Sequence, residues 1–370
     1  MRINNNVFLS YLRCRYKACL LLEGRSGQPT NHQALIAELD SAYNALARTA
    51  LSRRYASVNT GNDCTNNQPL ITFEAGIVLD AFEFVLDALK KETNASGSEV
   101  RHLPVIFCRS DRIPPSEELR LAVGGHVLRF TEGSSPATGI IVYGPNCSMK
   151  TVRLTPKYAT VERIVAELVS LTTGQCRPPL ILNNHCRACE FQQSCREEAK
   201  KQDNLSLLHR MTEKTIRQYN RKGIFTVNQL SYTFHPRRRS KRTKARGHPH
   251  SYPLQAMAIR DHKVYLLDLP TLTPADTQVF IDMEGDPAGH FVYLIGLLVV
   301  WHGQQTCYSF WADTKEDEAE IFEQLDHVLS GMVDPLLFHY GPYESRVLKR
   351  AAAAPTVNSS TEAATKVILS

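Results

Sequence analysis

The sequence predicts an α/β protein built from more than one folded segment, and three observations predict it. Apolar residues recur at helical spacing in some stretches and form short continuous runs in others. A strongly basic stretch interrupts the pattern about two-thirds of the way along. The chain's 370 residues exceed what a single core ordinarily organises. Its composition is 43% hydrophobic, 22% charged and 8% aromatic, which excludes long-range disorder, collagen-like repeats and disulfide miniproteins. The longest apolar run, residues 291–301, is only about half of the roughly 18 residues a membrane helix needs. Residues 1–6 are polar and no cleavable apolar leader follows them. A cytoplasmic protein with no membrane contact is therefore expected.

The first segment, residues 1–204, mixes helices and strands. Residues 7–22 read as one helix, with Phe8, Leu12 and Leu20 among its apolar positions. Residues 32–56 read as another, because Leu35, Ile36, Leu39, Tyr43, Leu46 and Leu51 lie near a 3.6-residue period. Residues 105–107 and 138–143 read as strands, and 161–171 as a helix. Residues 77–91 admit two readings: an amphipathic helix, or a strand presenting Asp87.

Residues 205–234 read as helix, turn, helix. Gly223 supplies the turn, and Thr226 with Gln229 three residues later is a capping-box signature. Residues 235–250 follow and contain Arg237, Arg238, Arg239, Lys241, Arg242, Lys244 and Arg246 without an acid. The whole chain carries +6, so removing those seven charges leaves the remainder at −1. Such a run repels itself in a packed helix, which predicts an exposed loop. It could neutralise several phosphates of DNA or RNA, or serve as a solvated linker. Turn amides near Gly223 offer a second set of backbone contacts. No base-reading device is visible. Residues 251–277 read as linker.

Residues 278–350 give three strands (279–284, 291–300 and 305–311), a helix (316–329), a strand (336–340) and a helix (344–352). That is the opening order of a ribonuclease-H-like fold. Asp282 and Glu284 are two apart on the first strand, so both point to one face while Ile281 and Met283 point to the other. Paired carboxylates repel unless a cation lies between them, and such a pair is what two-metal phosphodiester hydrolysis requires. Glu344, at a strand-to-helix turn, is the third candidate ligand for Mg²⁺ or Mn²⁺. Residues 351–370 form an Ala/Thr/Ser-rich tail without a core pattern.

Ten cysteines in a chain without a leader point to metal or free thiols rather than disulfides. Cys186, Cys189 and Cys195 fall within ten residues, a spacing that lets three sulfurs converge on one centre. Cys14 is the candidate fourth ligand for an iron–sulfur cluster or zinc. His185 or Cys176 would complete a zinc knuckle instead, and buried free thiols are the remaining alternative.

Two stretches, FLSYLRCRYK (residues 8–17) and CRACEFQQSC (residues 186–195), resemble RecB-like nucleases that carry a four-cysteine iron–sulfur clasp. The resemblance implies a 4Fe-4S cluster on Cys14, Cys186, Cys189 and Cys195 around a PD-(D/E)XK nuclease core. Asp87 would be that core's first acid. The family places Glu and Lys on the following strand, where this chain has Ile106 and Cys108, and Arg120 stands where a Gln is usual. A degenerate first site is therefore implied.

The stretches IDMEGDP (281–287), YLIG (293–296) and FHYGPYE (338–344) resemble the YprB-type ribonuclease-H-like domain of the DEDD exonuclease class. The whole order is similar to bacterial RecB-like nucleases fusing both modules. By that resemblance Asp282 and Glu284 are metal ligands, and Glu344 stands where the class has Asp. The class's last Asp, with its His or Tyr, has no counterpart after Arg350. An incomplete domain in a truncated chain is expected.

Overall fold

The computed structural model describes residues 2–56, 70–79, 82–93, 100–133, 135–174, 177–235, 251–266, 273–286 and 291–352. The chain divides into two units, Met1–Tyr265 and Leu266–Ser370.

In the first unit, β1 (Ile3–Asn4) leads into α1 (Asn5–Arg13), whose N-cap is the Asn4 side chain accepting from Val7 N at 2.9 Å. The single helix expected over residues 7–22 is two helices. Cys14 is extended (φ −157°, ψ 108°); its N–H closes α1, and its Sγ accepts from Lys17 N to open α2 (Arg15–Leu22). Periodicity hides this break because both halves bury apolar residues, among them Phe8, Tyr11, Ala18 and Leu20. The long helix α3 (Asn31–Ala56) follows, burying Tyr43, Ala47 and Leu51 while Leu35, Leu39 and Leu46 stay exposed.

β2 (Ile71–Leu79) and β3 (Phe82–Thr93) pair antiparallel, which overturns the helical reading of residues 77–91. Phe84, Leu86 and Ala88 alternate into the interior, so period two wins over period 3.6 here. β4 (Val100–Cys108), α4 (Pro115–Glu132) and β5 (Thr138–Tyr143) form a parallel crossover, then β6 (Ser148–Arg153) and α5 (Thr155–Thr172). The sheet runs β1-β3-β4-β5-β6, with β2 also on β3. Its central strands are covered on both faces. Ile106 and Ile141 pack with Phe8, Leu121 and Leu168, whereas Val105, Phe107 and Val142 pack with Tyr43 and Leu51 of α3. Covering on both faces explains the unbroken apolar run at residues 103–108.

A 3₁₀ turn, Asn184–Ala188, precedes α6 (Gln192–Lys201). The hairpin segment contains α7 (Glu213–Asn220) and α8 (Val227–Ser231), with the Thr226–Gln229 capping box formed as the sequence predicts. Residues 251–277, read as linker, begin instead with α9 (Tyr252–Asp261), because Ala256 buries itself against Leu205, Leu208 and Leu230. The basic residues Arg237, Arg238, Arg239, Lys241 and Arg242, and the alternative ligand Cys176, lie outside the described residues.

The second unit holds β7 (Thr277–Asp286), β8 (Phe291–Trp301), β9 (Gln304–Trp311), α10 (Glu318–Ser330), β10 (Leu336–Phe338) and α11 (Tyr343–Ala352). Its sheet order is β10-β7-β8-β9, with β10 parallel to β7 and the other pairs antiparallel. This is the element order the sequence predicts. Ile321, Phe322, Leu325 and Val347 of the two helices share a core with Val279, Ile281, Met283 and Leu297. Among the described residues, no helix of the chain is long and apolar enough to cross a membrane.

Candidate functional site

On β7 the alternation does what the spacing predicts. Ile281 and Met283 are 4% and 3% exposed, while Asp282 and Glu284 are exposed on the opposite face. Neither carboxylate has an ion pair or hydrogen bond among the described residues. The β7–β8 register shifts after Glu284: Glu284 pairs with Leu294 and Gly285 with Val292, leaving Tyr293 as an extra residue. Bulges of this kind re-aim side chains beside functional sites. Gly285 is required by close approach, since a Cβ there would lie 2.9 Å from the Phe291 carbonyl and closer still to the Tyr343 hydroxyl.

Glu344 sits in the first turn of α11, 4% exposed, and its Oε2 has no hydrogen bond among the described residues. The Nδ1 of buried His339 is 3.6 Å from that oxygen, and neither ring nitrogen of His339 is hydrogen-bonded among the described residues. An unsatisfied buried carboxylate is costly, so this corner of the fold calls for a further partner. Tyr343 lies among the acids. Burial raises its pKa, Arg350 opposes the rise, and Glu284, Glu318 and Glu344 add to it. Glu318 is held by Val292 N and by Arg350, both at 2.8 Å. Sequence reasoning missed Tyr343, Glu318 and Arg350. Tyr343 lies inside the FHYGPYE stretch, next to the glutamate that was singled out.

Asp87 presents the opposite case. Its Oδ2 accepts from Phe107 N at 2.7 Å and is ion-paired with Arg120, which also binds Glu117 at 3.0 Å. Burial works against the Arg120 charge, but Asp87 and Glu117 outweigh it and hold the guanidinium protonated. Ile106 and Cys108 are 1% and 6% exposed, and burial pushes the Cys108 thiol up. The space where a hard cation would meet Asp87 is filled by an arginine. Glu117 was missed, although its i, i+3 spacing from Arg120 was available as a signal.

Cys14, Cys186, Cys189 and Cys195 line one small cavity, together with Lys17, His185 and Phe191. Burial pushes the Cys195 thiol up to about 12, helped by the neighbouring Cys189, Cys14 and Cys186. Cys14 and Cys189 are raised by burial as well. Main-chain N–H groups donate to two of the sulfurs, Lys17 N to Cys14 at 3.4 Å and Asn183 N to Cys186 at 3.3 Å. His185 Nε2 is buried without a partner. Beside the sulfurs, Lys17 and Glu190 form an ion pair of 2.8 Å whose side chains are only 9% and 15% exposed.

Among the described residues, no three His, Cys, Asp or Glu side chains are arranged closely enough to hold a metal ion. The donor types nonetheless fit one at both places. Burial, with the neighbouring sulfurs, disfavours the ionised form of Cys195, which a bound cation would reverse, and the Glu344 Oε2 has only His339 within reach among the described residues.

The structure corrects the reading of Gly223 as a phosphate-binding turn. Gly223 has φ +78° and ends the α7 region in the left-handed conformation that favours glycine. The N–H groups of Lys222 and Ile224 donate to Tyr219, and that of Gly223 donates to Asn220. Those of Phe225 and Thr226 donate to Gln229. The turn's amides are committed to its own fold.

Residues 279–367 match the family model RNase_H_2, of the RNase H superfamily. No curated protein matches the chain. Among solved structures, the one titled "Crystal structure of SSO0001" is similar at 18% identity, covering 53% of this chain and 86% of that chain, with a TM-score of 0.28. The protein is thus a mixed α/β chain whose C-terminal region contains a ribonuclease-H-like domain.

Proposed function

We propose that the C-terminal unit is a metal-dependent nuclease that removes nucleotides from the ends of DNA or RNA. One observation carries the reading: in a region matching the RNase H superfamily, Asp282 and Glu284 share an exposed strand face, with no cationic side chain paired to them among the described residues. Mg²⁺ or Mn²⁺ held by Asp282, Glu284 and Glu344 would activate water and steady the leaving oxygen. The chain's own residues prepare that place. Tyr343, kept as a neutral phenol, can donate a hydrogen bond from Oη, and the Glu318–Arg350 pair fixes the bulge that aims Glu284.

In this reading the first unit is a degenerate RecB-like domain, its cation replaced by Arg120. The four cysteines hold a 4Fe-4S cluster, or zinc, that ties α1 and α2 to residues 183–195. Support comes from the four sulfurs lining one cavity. The basic residues 237–242 add phosphate affinity. The test is nucleotide release from a labelled single strand with Mn²⁺. Release that survives Asp282→Ala with Glu284→Ala removes these carboxylates from the mechanism. For the cluster, anaerobic purification should yield a brown protein with a broad visible absorption band, whereas stoichiometric zinc without that band rejects iron–sulfur.

A second reading, a non-catalytic nucleic-acid-binding protein, is favoured by Glu344 standing where the DEDD class has Asp. It predicts salt-sensitive binding with no cleavage under any divalent metal.

A further inference from the structure

A cavity of about 1060 Å³ lies in the N-terminal unit, and its lining includes Cys14 but none of Asp282, Glu284 and Glu344. It opens between α1, the end of α5, residues 177–184 and the helical hairpin. Arg13, Arg15, Arg177, Arg210 and Arg217 line it, against the carboxylates of Glu167 and Glu213. Both acids are already engaged, Glu167 by Arg15 at 3.7 Å and Glu213 by Arg217. Arg13 and Arg210 are exposed and have no ion pair among the described residues. The cleft therefore carries unbalanced positive charge.

Aromatic rings accompany that charge. Arg15 lies over the Tyr11 ring at 5.5 Å and Arg177 over Tyr16 at 5.4 Å. Phe225, on the hairpin, lines the cleft while 58% exposed. It is not part of the hairpin's apolar core of Leu205, Leu208, Met211, Val227, Leu230 and Ala256. The Arg210 backbone is held at φ +60°, with its carbonyl bonded to the Tyr252 hydroxyl at 2.8 Å, a conformation that non-glycine residues adopt at a cost.

We infer that this cleft binds single-stranded nucleic acid, with phosphates on Arg13 and Arg210 and an unstacked base on Phe225. Guanidiniums recognise phosphate oxygens by paired N–H donors, and ring faces take any base that is free of its duplex. The volume lies just above the range for a single small ligand, which suits a short stretch of strand. A duplex hides its base faces and an acidic peptide has none, so neither uses the ring. The inference does not depend on the nuclease reading: it concerns binding, in a different unit.

The test is fluorescence anisotropy of a fluorescein-labelled oligothymidylate 12-mer with the full chain, without divalent metal, across a salt series. The double variant Arg13→Glu with Arg210→Glu should bind at least about tenfold more weakly. Its salt slope should be shallower by about 1.4, for two phosphate contacts to a single strand. Phe225→Ala should weaken binding about 5- to 150-fold, as loss of one stacked base does, with the slope unchanged. Charge reversal of Arg237, Arg238 and Arg239 should leave both of those effects in place. If the arginine double variant does not melt as the parent does, Phe225→Ala decides alone. Parental affinity in Phe225→Ala, or equally tight binding of a 12-base-pair duplex or of polyglutamate, overturns the inference.

Discussion

Asp87 and Asp282 both sit on β-strands, each in the neighbourhood expected to hold a cation, yet the fold treats them in opposite ways. Asp87 receives a main-chain N–H and the guanidinium of Arg120, so its charge is neutralised from within. Asp282 and Glu284 face outward with no partner among the described residues, and the buried Glu344 Oε2 has only the His339 ring within ion-pair distance there. An acid that already has its countercharge is part of the scaffold, while acids that lack one are free to recruit it. Residue type alone does not separate the two cases.

That contrast can be broken most directly by activity. Asp282→Ala or Glu284→Ala should cut Mn²⁺-dependent nucleotide release by at least about 100-fold, because the lost metal stabilisation amounts to several kcal/mol. Asp87→Ala should leave the rate within about twofold. Equal losses from both sites would erase the distinction drawn here.

Stability should show the reverse order. Asp87→Ala leaves Arg120 with Glu117 and the Phe107 carbonyl, and urea unfolding of the first unit should register a loss of about 2–3 kcal/mol. This lies below the roughly 3–5 kcal/mol of a fully buried pair, since both side chains retain some exposure. Asp282→Ala should change unfolding by no more than about 0.5 kcal/mol, as expected of a surface substitution.

Gly285 sharpens the second half of the comparison. Gly285→Ala pushes a methyl group onto the Tyr343 hydroxyl and the Phe291 carbonyl, and should cost the second unit about 1–3 kcal/mol in a thermal melt. Adding Tyr343→Phe should recover part of that loss. No recovery would mean that the carbonyl, rather than the phenol, sets the limit.

The smallest effect belongs to a surface ion pair of the first unit. The hydrogen bond from Lys157 holds the Glu118 carboxyl below its ordinary value, despite some burial. A depressed folded-state pKa adds stability that is present above the unfolded value and lost as pH falls through the folded one. Glu118→Gln should therefore flatten the acid limb of a stability–pH curve by under about 1 kcal/mol, with no change at neutral pH in the difference between the Asp87 and Asp282 variants.

Much of the second unit is legible in the sequence, because its signals are local. Alternation placed Asp282 and Glu284 on one face, and apolar runs broken by turns marked β8 and β9. The Thr226–Gln229 capping box likewise needs only three residues of context. Residues 77–91 were ambiguous for the same reason in reverse: their apolar pattern suits both periods, and only pairing of β3 with β2 and β4 selects the strand. The break at Cys14 left no trace in the apolar pattern, since a single side chain and its own N–H serve as caps for two helices.

What the sequence determined by itself is the order of elements in the second unit and the shared face of the β7 carboxylates, both consequences of backbone period, and the compact spacing of three cysteines along the chain. Tertiary structure alone decided which acids stay unpaired and that the amides near Gly223 are already taken, and it brings Cys14, which the sequence nominated, to one cavity with the other three sulfurs across some 170 residues. Those outcomes depend on which groups distant segments bring within a few ångströms, where charge and hydrogen bonding act.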